Sequence, residues 1–216
     1  GMMRSMVKIA VPSTLQQSIV HIGILLVQSV INSFGSTAIA GYSAGMRIES
    51  LSIVPMLAMG NAMSTFTAQN MGAGKIDRVK EGYRMCYVIV LTAGAVLCVM
   101  YQLAGGAFVS LFLDSGSSEA YSVGLSYVKF LSFFYSFIGL KASTDGLLRG
   151  AGDVTAFTVA NLVNLAIRVS VTNLFAPIYG IQVAWMAVPL GWAANYVISF
   201  GWYLTGKWKK VRVIKK

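Results

Sequence analysis

Five charged residues lie well inside long apolar stretches of this sequence: Arg47, Glu49, Lys141, Asp145 and Arg168, whereas Lys129 is near enough to a segment end to reach its surface. A charge at the centre of a membrane costs about 2.5–3.5 kcal/mol on insertion scales, so each of these must pair with another group or contact water. Lys141 and Asp145 are four positions apart and can pair along one face of a helix. Arg47 and Glu49 are two positions apart and point to nearly opposite sides. Glu49 is therefore expected to join a structural ion pair with another residue, or to bind a proton or a coupling ion.

Polar residues also recur at helical spacing in two of the apolar stretches. The first stripe contains Gln17, His21, Gln28 and Asn32, and the second contains Thr158, Asn161, Asn164, Arg168 and Thr172. A polar stripe on a membrane helix must face protein or a water-filled cavity, because lipid offers no hydrogen-bond partners. Two interpretations stay open, which are hydrogen bonding between helices and the lining of a binding cavity. The candidate substrate- or ion-binding residues are Gln28, Asn32, Arg47, Glu49, Lys141, Asp145, Asn164 and Arg168.

The sequence contains no grouping that is typical of an enzyme or of a bound metal. The single histidine, His21, has no nucleophile placed beside it, and the acidic residues fall on different segments. Cys86 and Cys98 are twelve residues apart in one predicted helix, which is too far to form a disulfide. The Gly-Ala-Gly sequences at Gly72 and Gly150 follow apolar helices rather than strands, and they lack the spacing of a phosphate-binding loop. We therefore expect no enzyme activity, no metal and no cofactor.

The composition indicates an integral membrane protein. The chain has 216 residues, of which 56% are hydrophobic and only 11% are charged, with a mean hydropathy of +0.68. A soluble domain carries roughly 25% charged residues. Six apolar segments fill the chain and leave no room for a soluble domain, so we expect one all-α membrane unit over residues 1–216. The predicted helices cover about 9–34, 37–71, 83–103, 121–148, 155–175 and 181–204, and a basic tail follows over 205–216.

The basic residues mark one side of this predicted bundle. Thirteen of the 17 Lys and Arg residues fall at segment ends on that side: Arg4, Lys8, Lys75, Arg78, Lys80, Arg84, Arg149, Lys207, Lys209, Lys210, Arg212, Lys215 and Lys216. Cytoplasmic loops carry the excess of Lys and Arg in membrane proteins. We therefore expect a multi-pass protein of the cell membrane with both termini in the cytoplasm. The net charge of +10 reflects this topology and not an affinity for nucleic acid.

Two similar motifs fall at cytoplasmic corners of the predicted bundle. Their residues are Gln69, Asn70, Gly72 and Gly74 in the first, and Arg149, Gly150, Gly152 and Asp153 in the second. Glycine is favoured just past a helix end, since it adopts the left-handed conformation that satisfies the last carbonyl groups. We interpret both motifs as structural hinges that stop a helix and do not contact substrate.

Several of these sequences together resemble a known family. VPSTLQQS (Val11–Ser18), QNMGAGKIDRVKEG (Gln69–Gly82), LRGAGD (Leu148–Asp153) and the closing Trp/Lys tail are similar to motifs of multidrug and toxic compound extrusion (MATE) transporters. The resemblance covers essentially the whole chain. It implies one six-helix lobe, the carboxy-terminal one, of a two-lobe transporter, either as a fragment or as a half-sized product. The implied partners are an amino-terminal six-helix lobe in the same or a separate chain, the lipid bilayer and a small organic cation.

The resemblance also implies antiport of organic cations or other xenobiotics, driven by H⁺ or Na⁺. In the sodium-coupled branch an acidic residue lies ten positions before the leucine of Leu-Arg-Gly, and here that position is Ile138. Glu49 is the substitute candidate, which would release a proton as a cationic substrate binds. Two other functions stay open. One is a lipid-linked saccharide flippase, which the basic residues Arg47, Lys141 and Arg168 favour, and the other is a non-transporting membrane scaffold or remnant.

Overall fold

A computed structural model describes residues 18–114 and 118–210, and regular secondary structure in those two ranges is entirely helical. The seven α-helices are α1 Ser18–Asn32, α2 Ser36–Gly72, α3 Ile76–Ser110, α4 Ser118–Ser132, α5 Tyr135–Gly150, α6 Val154–Tyr179 and α7 Gln182–Leu204. A 3₁₀ turn, Lys207–Lys210, follows α7. The all-α expectation is therefore confirmed for the described residues. Residues 9–17 of the first predicted segment lie outside them, as do residues 211–216 of the tail.

Four of the helices, α2, α3, α6 and α7, are long and apolar enough to cross a membrane. The pair α4 and α5, bent by 53°, would make a fifth span. With 37 and 35 residues, α2 and α3 are each roughly 50–55 Å long at 1.5 Å per residue. The hydrocarbon core is about 30 Å thick, so both helices extend beyond it into the polar layers.

The third predicted segment, which was expected to cover 83–103, is too short. It corresponds to helix α3. It begins at Ile76 and ends at Ser110. Hydropathy marks only the part of a helix that lies in lipid, whereas the charged residues before Tyr83 continue the same helix outside it. The Lys80 ammonium and the Asp77 carboxylate, 2.6 Å apart at spacing i and i+3, support this first turn and a half.

The fourth predicted segment, 121–148, is two helices rather than one. The chain turns at Phe133 and Phe134, between α4 and α5. A helix break frees a backbone carbonyl, which must find another donor in the membrane. Here Gln102 Nε2 of α3 donates to the Lys129 carbonyl and to the Ser132 hydroxyl, both at 2.8 Å. Because no Pro or Gly stands at the break, the sequence did not indicate it.

Glycines allow α2 to pack closely against α4 and α5. Gly41 meets the Ala120 carbonyl of α4, and Gly146 of α5 meets the backbone of Gly60 in α2. A Cβ atom added at Gly60 would lie 2.6 Å from the Ala142 carbonyl oxygen. Small residues are the usual contact between membrane helices, where lipid gives no hydrophobic drive for association. The backbone of α2 therefore packs directly against the backbones of α4 and α5.

The basic corners come together at one end of the bundle. Arg149, at the end of α5, donates from Nη2 to Asn61 Oδ1 of α2 at 2.7 Å. Trp202, near the end of α7, donates from Nε1 to Asp153 Oδ2 at 2.6 Å. These contacts join the α5–α6 corner to α2 and to the end of α7. Within the described ranges, the basic residues at this end are Lys75, Arg78, Lys80, Arg84, Arg149, Lys207, Lys209 and Lys210.

Candidate functional site

A cavity of about 160 Å³ lies between α1, α2 and α6. Gln28 of α1, Glu49 of α2 and Arg168 of α6 supply its charged and amide groups. The rest of the wall is largely apolar and includes Ile24, Val27, Ile53 and Leu165. Few polar groups on an apolar wall are typical of a small-molecule binding site. Three of the predicted site residues therefore share one cavity.

Glu49 is held in place by a tyrosine from another helix. Its side chain reaches the cavity although the residue is only 8% exposed, and the Tyr127 hydroxyl of α4 donates a hydrogen bond to its Oε2. Gly45, one turn before Glu49, makes room for this tyrosine, since a Cβ there would lie 2.6 Å from the Tyr127 ring. The rings of Tyr42 and Trp185 pack edge-on against Tyr127, with centroids 5.3 and 5.5 Å away. The carboxylate thus has an aromatic wall behind it and the cavity in front.

Arg168 lines the same cavity but does not form an ion pair with Glu49. It is near enough to interact electrostatically with Glu49, Tyr42 and Tyr127. Lys80 with Asp77 and Lys141 with Asp145 lie within the 4.0 Å of an ion pair, whereas the Arg168 guanidinium and the Glu49 carboxylate do not. The cavity therefore presents a carboxylate and a guanidinium that a bound molecule can contact separately.

Lys141 and Asp145 form the ion pair that their spacing predicted. Lys141 Nζ lies 3.0 Å from Asp145 Oδ2, and the two side chains are 13% and 6% exposed. Asp145 Oδ1 also accepts a hydrogen bond of 2.6 Å from the Ser199 hydroxyl of α7. This pair lies between α5, α6 and α7, and neither residue lines the cavity that holds Glu49.

The other predicted site residues lie elsewhere, so the structure does not bring the whole set together. Arg47 is exposed on the side of α2 away from Glu49, with its guanidinium carbon 5.9 Å from the Phe112 ring centroid. Asn32 is exposed and its Oδ1 accepts a hydrogen bond of 2.9 Å from Gln28 Nε2. Asn164 faces Gly191 of α7, and its Oδ1 is buried without a hydrogen-bond partner among the described residues.

Within each polar stripe, the residues also lie in different surroundings. On α6, Asn161 contacts the Lys141–Asp145 pair, whereas Arg168 faces the cavity. In the first stripe His21 is exposed and Gln28 lines the cavity, while Gln17 lies outside the described residues. On α6 both interpretations that the sequence left open apply, because Asn161 bonds to a neighbouring helix and Arg168 lines the cavity.

Both Gly-Ala-Gly motifs end a helix with the same pattern of hydrogen bonds. Gly74 N–H donates to the Met71 carbonyl at 3.0 Å and Lys75 N–H to Asn70 at 2.8 Å. The equivalent bonds in the second motif run from Gly152 to Arg149 at 3.0 Å and from Asp153 to Leu148 at 2.9 Å. This is the Schellman pattern, whose glycine is left-handed, and φ is +72° at Gly74 and +85° at Gly152.

The remaining motif residues have structural contacts at the basic end. Gln69 is exposed, and Asn70 Nδ2 donates to the Phe66 carbonyl at 2.8 Å. Asp153 accepts from the backbone N–H of Ala156 at 3.3 Å and so caps α6. A Cβ at Gly150 would meet the Ser64 carbonyl oxygen, whereas one at Gly72 would meet nothing within 4 Å.

Sequence reasoning missed the residues that complete these sites from distant helices. Tyr127 and Ser199 lie 78 and 54 positions from the acids they contact. Trp202 of α7, which donates to Asp153, lies 49 positions from it. Spacing along one helix cannot reveal such pairs. The one local signal was Gly45, because a glycine a turn before a buried acid leaves room for a large partner.

Comparison with known proteins gives the family. The profile of the MatE family matches residues 12–174 of this chain. The chain belongs to the MatE family. Over 207 residues it is 28% identical to the probable multidrug resistance protein YpnP of Bacillus subtilis, covering 95% of this chain and 46% of YpnP. It is 20% identical over 222 residues to the probable multidrug resistance protein NorM of Thermotoga maritima, of which it covers 46%.

Solved structures of MATE and related transporters have the same fold as this MatE chain. A transporter of the MOP superfamily from Pyrococcus furiosus superposes with a TM-score of 0.84 at 19% identity, covering 95% of this chain and 47% of that one. A multidrug resistance MATE transporter in its outward-facing conformation gives 0.82 at 21% identity, with the same coverage. The fold expected from the sequence motifs is confirmed. The chain spans about half the length of these relatives, which are transporters and not enzymes.

Proposed function

We propose that this MatE chain is the carboxy-terminal six-helix half of a secondary efflux transporter that exchanges organic cations or other xenobiotics for protons. Two kinds of observation support this proposal. Relatives that share the family are named probable multidrug resistance proteins, and the chain covers 46% of their length. The motifs Gln69–Gly82 and Leu148–Asp153 resemble those of the carboxy-terminal half. The other half, in the same or a separate chain, is the partner, and the cell membrane is the location.

The single observation that carries the proposal is the position of Glu49. Its carboxylate is buried against Tyr127 and reaches a cavity of about 160 Å³. A proton and a cationic substrate compete for such a carboxylate, since each neutralises the same charge. By linkage, binding of the cation then favours loss of the proton and the reverse holds equally. Exchange of one for the other is the coupling that antiport requires.

The surroundings of Ile138 favour H⁺ over Na⁺ as the coupling ion. This position holds an acid in the sodium-coupled branch that the sequence resembles, whereas here an apolar side chain is buried in the core of the bundle. Glu49 lies on a different helix, α2, and its described polar neighbours are the Tyr127 hydroxyl and the groups of the cavity. A single buried carboxylate can exchange a proton without the several oxygen ligands that a metal cation takes.

An efflux assay with a matched pair of variants tests the proposal. The chain is expressed together with an amino-terminal MatE half in cells that lack other drug pumps, and accumulation of ethidium is followed by fluorescence. We expect the wild-type pair to lower accumulation and Glu49→Gln to abolish this effect. The control is Glu81→Gln, the same substitution at an exposed residue near the start of α3, which should leave efflux unchanged. Efflux that survives Glu49→Gln would exclude Glu49 as the coupling site.

A further inference from the structure

Aromatic side chains of α3 and α7 meet at the basic end of the bundle, away from the cavity that holds Glu49. The Tyr83 ring of α3 packs against the Tyr203 ring of α7 with centroids 4.7 Å apart, and Tyr87 packs against Tyr196 at 6.4 Å. Tyr83 is buried, whereas the other three are partly exposed. We call these four residues the aromatic face. The proposed efflux mechanism does not use it.

The 3₁₀ turn after α7 folds back onto this face. Trp208 is fully buried, and its ring stacks on that of Tyr203 with centroids 5.6 Å apart and 14° between the planes. Its Nε1 donates to the Tyr203 carbonyl at 3.1 Å. The next residue, Lys209, is exposed and its Nζ lies 5.7 Å from the Trp208 ring centroid. The buried tryptophan therefore fixes the position of a lysine beside the aromatic face.

Basic side chains of α3 and of the turn converge beside Tyr203. Lys80 and Arg84, one helical turn apart, both interact electrostatically with Tyr203, and Lys209 interacts with Asp77 of α3. We call Lys80, Arg84 and Lys209 the basic cluster. Asp77 already pairs with Lys80 at 2.6 Å, and Arg84 is exposed and makes no hydrogen bond or ion pair among the described residues. One carboxylate thus faces three positive charges, which leaves two uncompensated.

The basic cluster and the aromatic face lie at the height where lipid head groups begin. The part of α3 before Tyr83 is charged and extends beyond the apolar span, and Tyr and Trp residues are typical of the interface itself. Further from the basic end, exposed apolar residues such as Val88 of α3 and Val197 of α7 continue along the same two helices. Positive charge, aromatic rings and an apolar surface therefore follow one another in the order of a phospholipid's head group, glycerol and chains.

We propose that the basic cluster and the aromatic face form a binding site for one anionic phospholipid. Its phosphate contacts Arg84 and Lys209, and its acyl chains cover the exposed side of α3 and α7. The charge of the cluster favours a head group with a net negative charge over a zwitterionic one, because basic residues near the membrane surface attract anionic lipids. A free phosphate ion would satisfy the charges but leave the aromatic face uncovered. The site belongs to the chain alone, so its failure leaves the proposed function untouched.

The experiment measures lipid binding to the purified full chain by native mass spectrometry from detergent, with dioleoyl phosphatidylglycerol and dioleoyl phosphatidylcholine as probes. We expect the first bound phosphatidylglycerol to have a Kd well below that of phosphatidylcholine. The double variant R84Q/K209Q should raise this Kd by about 30-fold, since each basic residue near an anionic head group contributes about fivefold. Inorganic phosphate in excess should not displace the lipid.

The matched control is K75Q/R78Q, which removes the same two charges from exposed residues at the same end of the bundle. At 3.6 residues per turn, Arg78 and Arg84 point about 120° apart on α3, so the control should change the Kd by less than about twofold. Equal weakening by the two double variants would reduce the site to general attraction by the basic end. Equal Kd values for the two lipids would remove the role of charge, and displacement by phosphate would mean that the cluster binds the free ion. Any of these three results overturns the proposal.

Discussion

Tyr127 links a buried acid to the wall of a binding cavity. Its hydroxyl donates to Glu49, and its ring fills the space that Gly45 leaves on α2. The hydrogen bond is buried, which makes its loss more costly than at the surface. Tyr127 therefore fixes where the Glu49 carboxylate stands, while Arg168 and Gln28 decide what else the cavity offers to a substrate.

We predict that Tyr127→Phe leaves the packing intact but removes the donor from a buried carboxylate. Loss of such a partner lowers the free energy of unfolding by about 1–3 kcal/mol. The measurement is the thermal unfolding midpoint in detergent, with Tyr179→Phe as control. Tyr179 is 72% exposed, so its hydroxyl should not matter for stability. Equal midpoints for the two variants would show that Glu49 does not depend on Tyr127.

Side-chain pairs within one helix could be predicted from the sequence, and pairs between helices could not. The opposite directions of Arg47 and Glu49 and the pairing of Lys141 with Asp145 both follow from 3.6 residues per turn. The Tyr127 and Ser199 contacts depend on how α4 and α7 are placed against α2 and α5. Spacing along α6 places its polar residues on one side of the helix, but it does not show which neighbour each residue contacts. In the structure they contact different neighbours and do not form one site.

At the scale of elements, the two Gly-Ala-Gly motifs show how the same cap is built at two corners. In each, the second glycine is left-handed, and its N–H and that of the next residue donate the two capping hydrogen bonds. The first glycines differ, because Gly150 packs against α2 and Gly72 faces open space. Both motifs therefore end a helix in the same way. Only the motif at the α5–α6 corner also packs against another helix.

This difference gives a prediction with its control inside the same motif. Gly74→Ala forces a side chain into a left-handed conformation and should destabilise the chain by about 1–2 kcal/mol. Gly72→Ala should be neutral or slightly stabilising, since alanine is the better helix former. In the second motif both Gly152→Ala and Gly150→Ala should destabilise, the latter by contact with the Ser64 backbone. Thermal unfolding of the four variants measures these effects, and a sensitive Gly72 would refute the assignment.

The helix boundaries show what hydropathy can and cannot indicate. It located the apolar segments, because a membrane span needs about 20 apolar residues. It did not locate the start of α3, since Asp77 and Lys80 stabilise a turn that lies outside lipid. It also missed the break between α4 and α5, which is sustained by Gln102 of a neighbouring helix. A helix break that is stabilised by a residue of another helix cannot be predicted from the sequence around the break.

At the scale of the whole molecule, the basic residues are unevenly distributed and much apolar surface is exposed. The basic corners gather at one end of the bundle, and the chain covers 46–47% of its relatives. Large apolar side chains such as Leu25, Leu51, Val54 and Leu103 are exposed on the outside. Under the proposed function, these faces would contact lipid or the other half of the transporter.

The orientation of the bundle can be tested by cysteine labelling. In a chain without its native cysteines (C86A/C98A), Ser36→Cys marks the end opposite the basic corners and Ala73→Cys marks the basic end, both at exposed residues. We expect a membrane-impermeant maleimide added to intact cells to label Ser36→Cys alone, since basic loops stay in the cytoplasm. Permeabilised cells should show both. Labelling of Ala73→Cys in intact cells would reverse the orientation.

The backbone contact between Gly60 of α2 and Gly146 of α5 also limits how this half can move. Where side chains separate two helices, a change of rotamer lets one slide past the other in small steps. At this crossing the glycines meet backbone atoms, and the neighbouring contacts of Gly60 with the Ala142 carbonyl and of Gly150 with the Ser64 carbonyl are also to backbone. We therefore expect α2 and α5 to move together as one rigid unit. Any opening and closing of the cavity then falls to α1 and α6, whose walls face α2 from the other side.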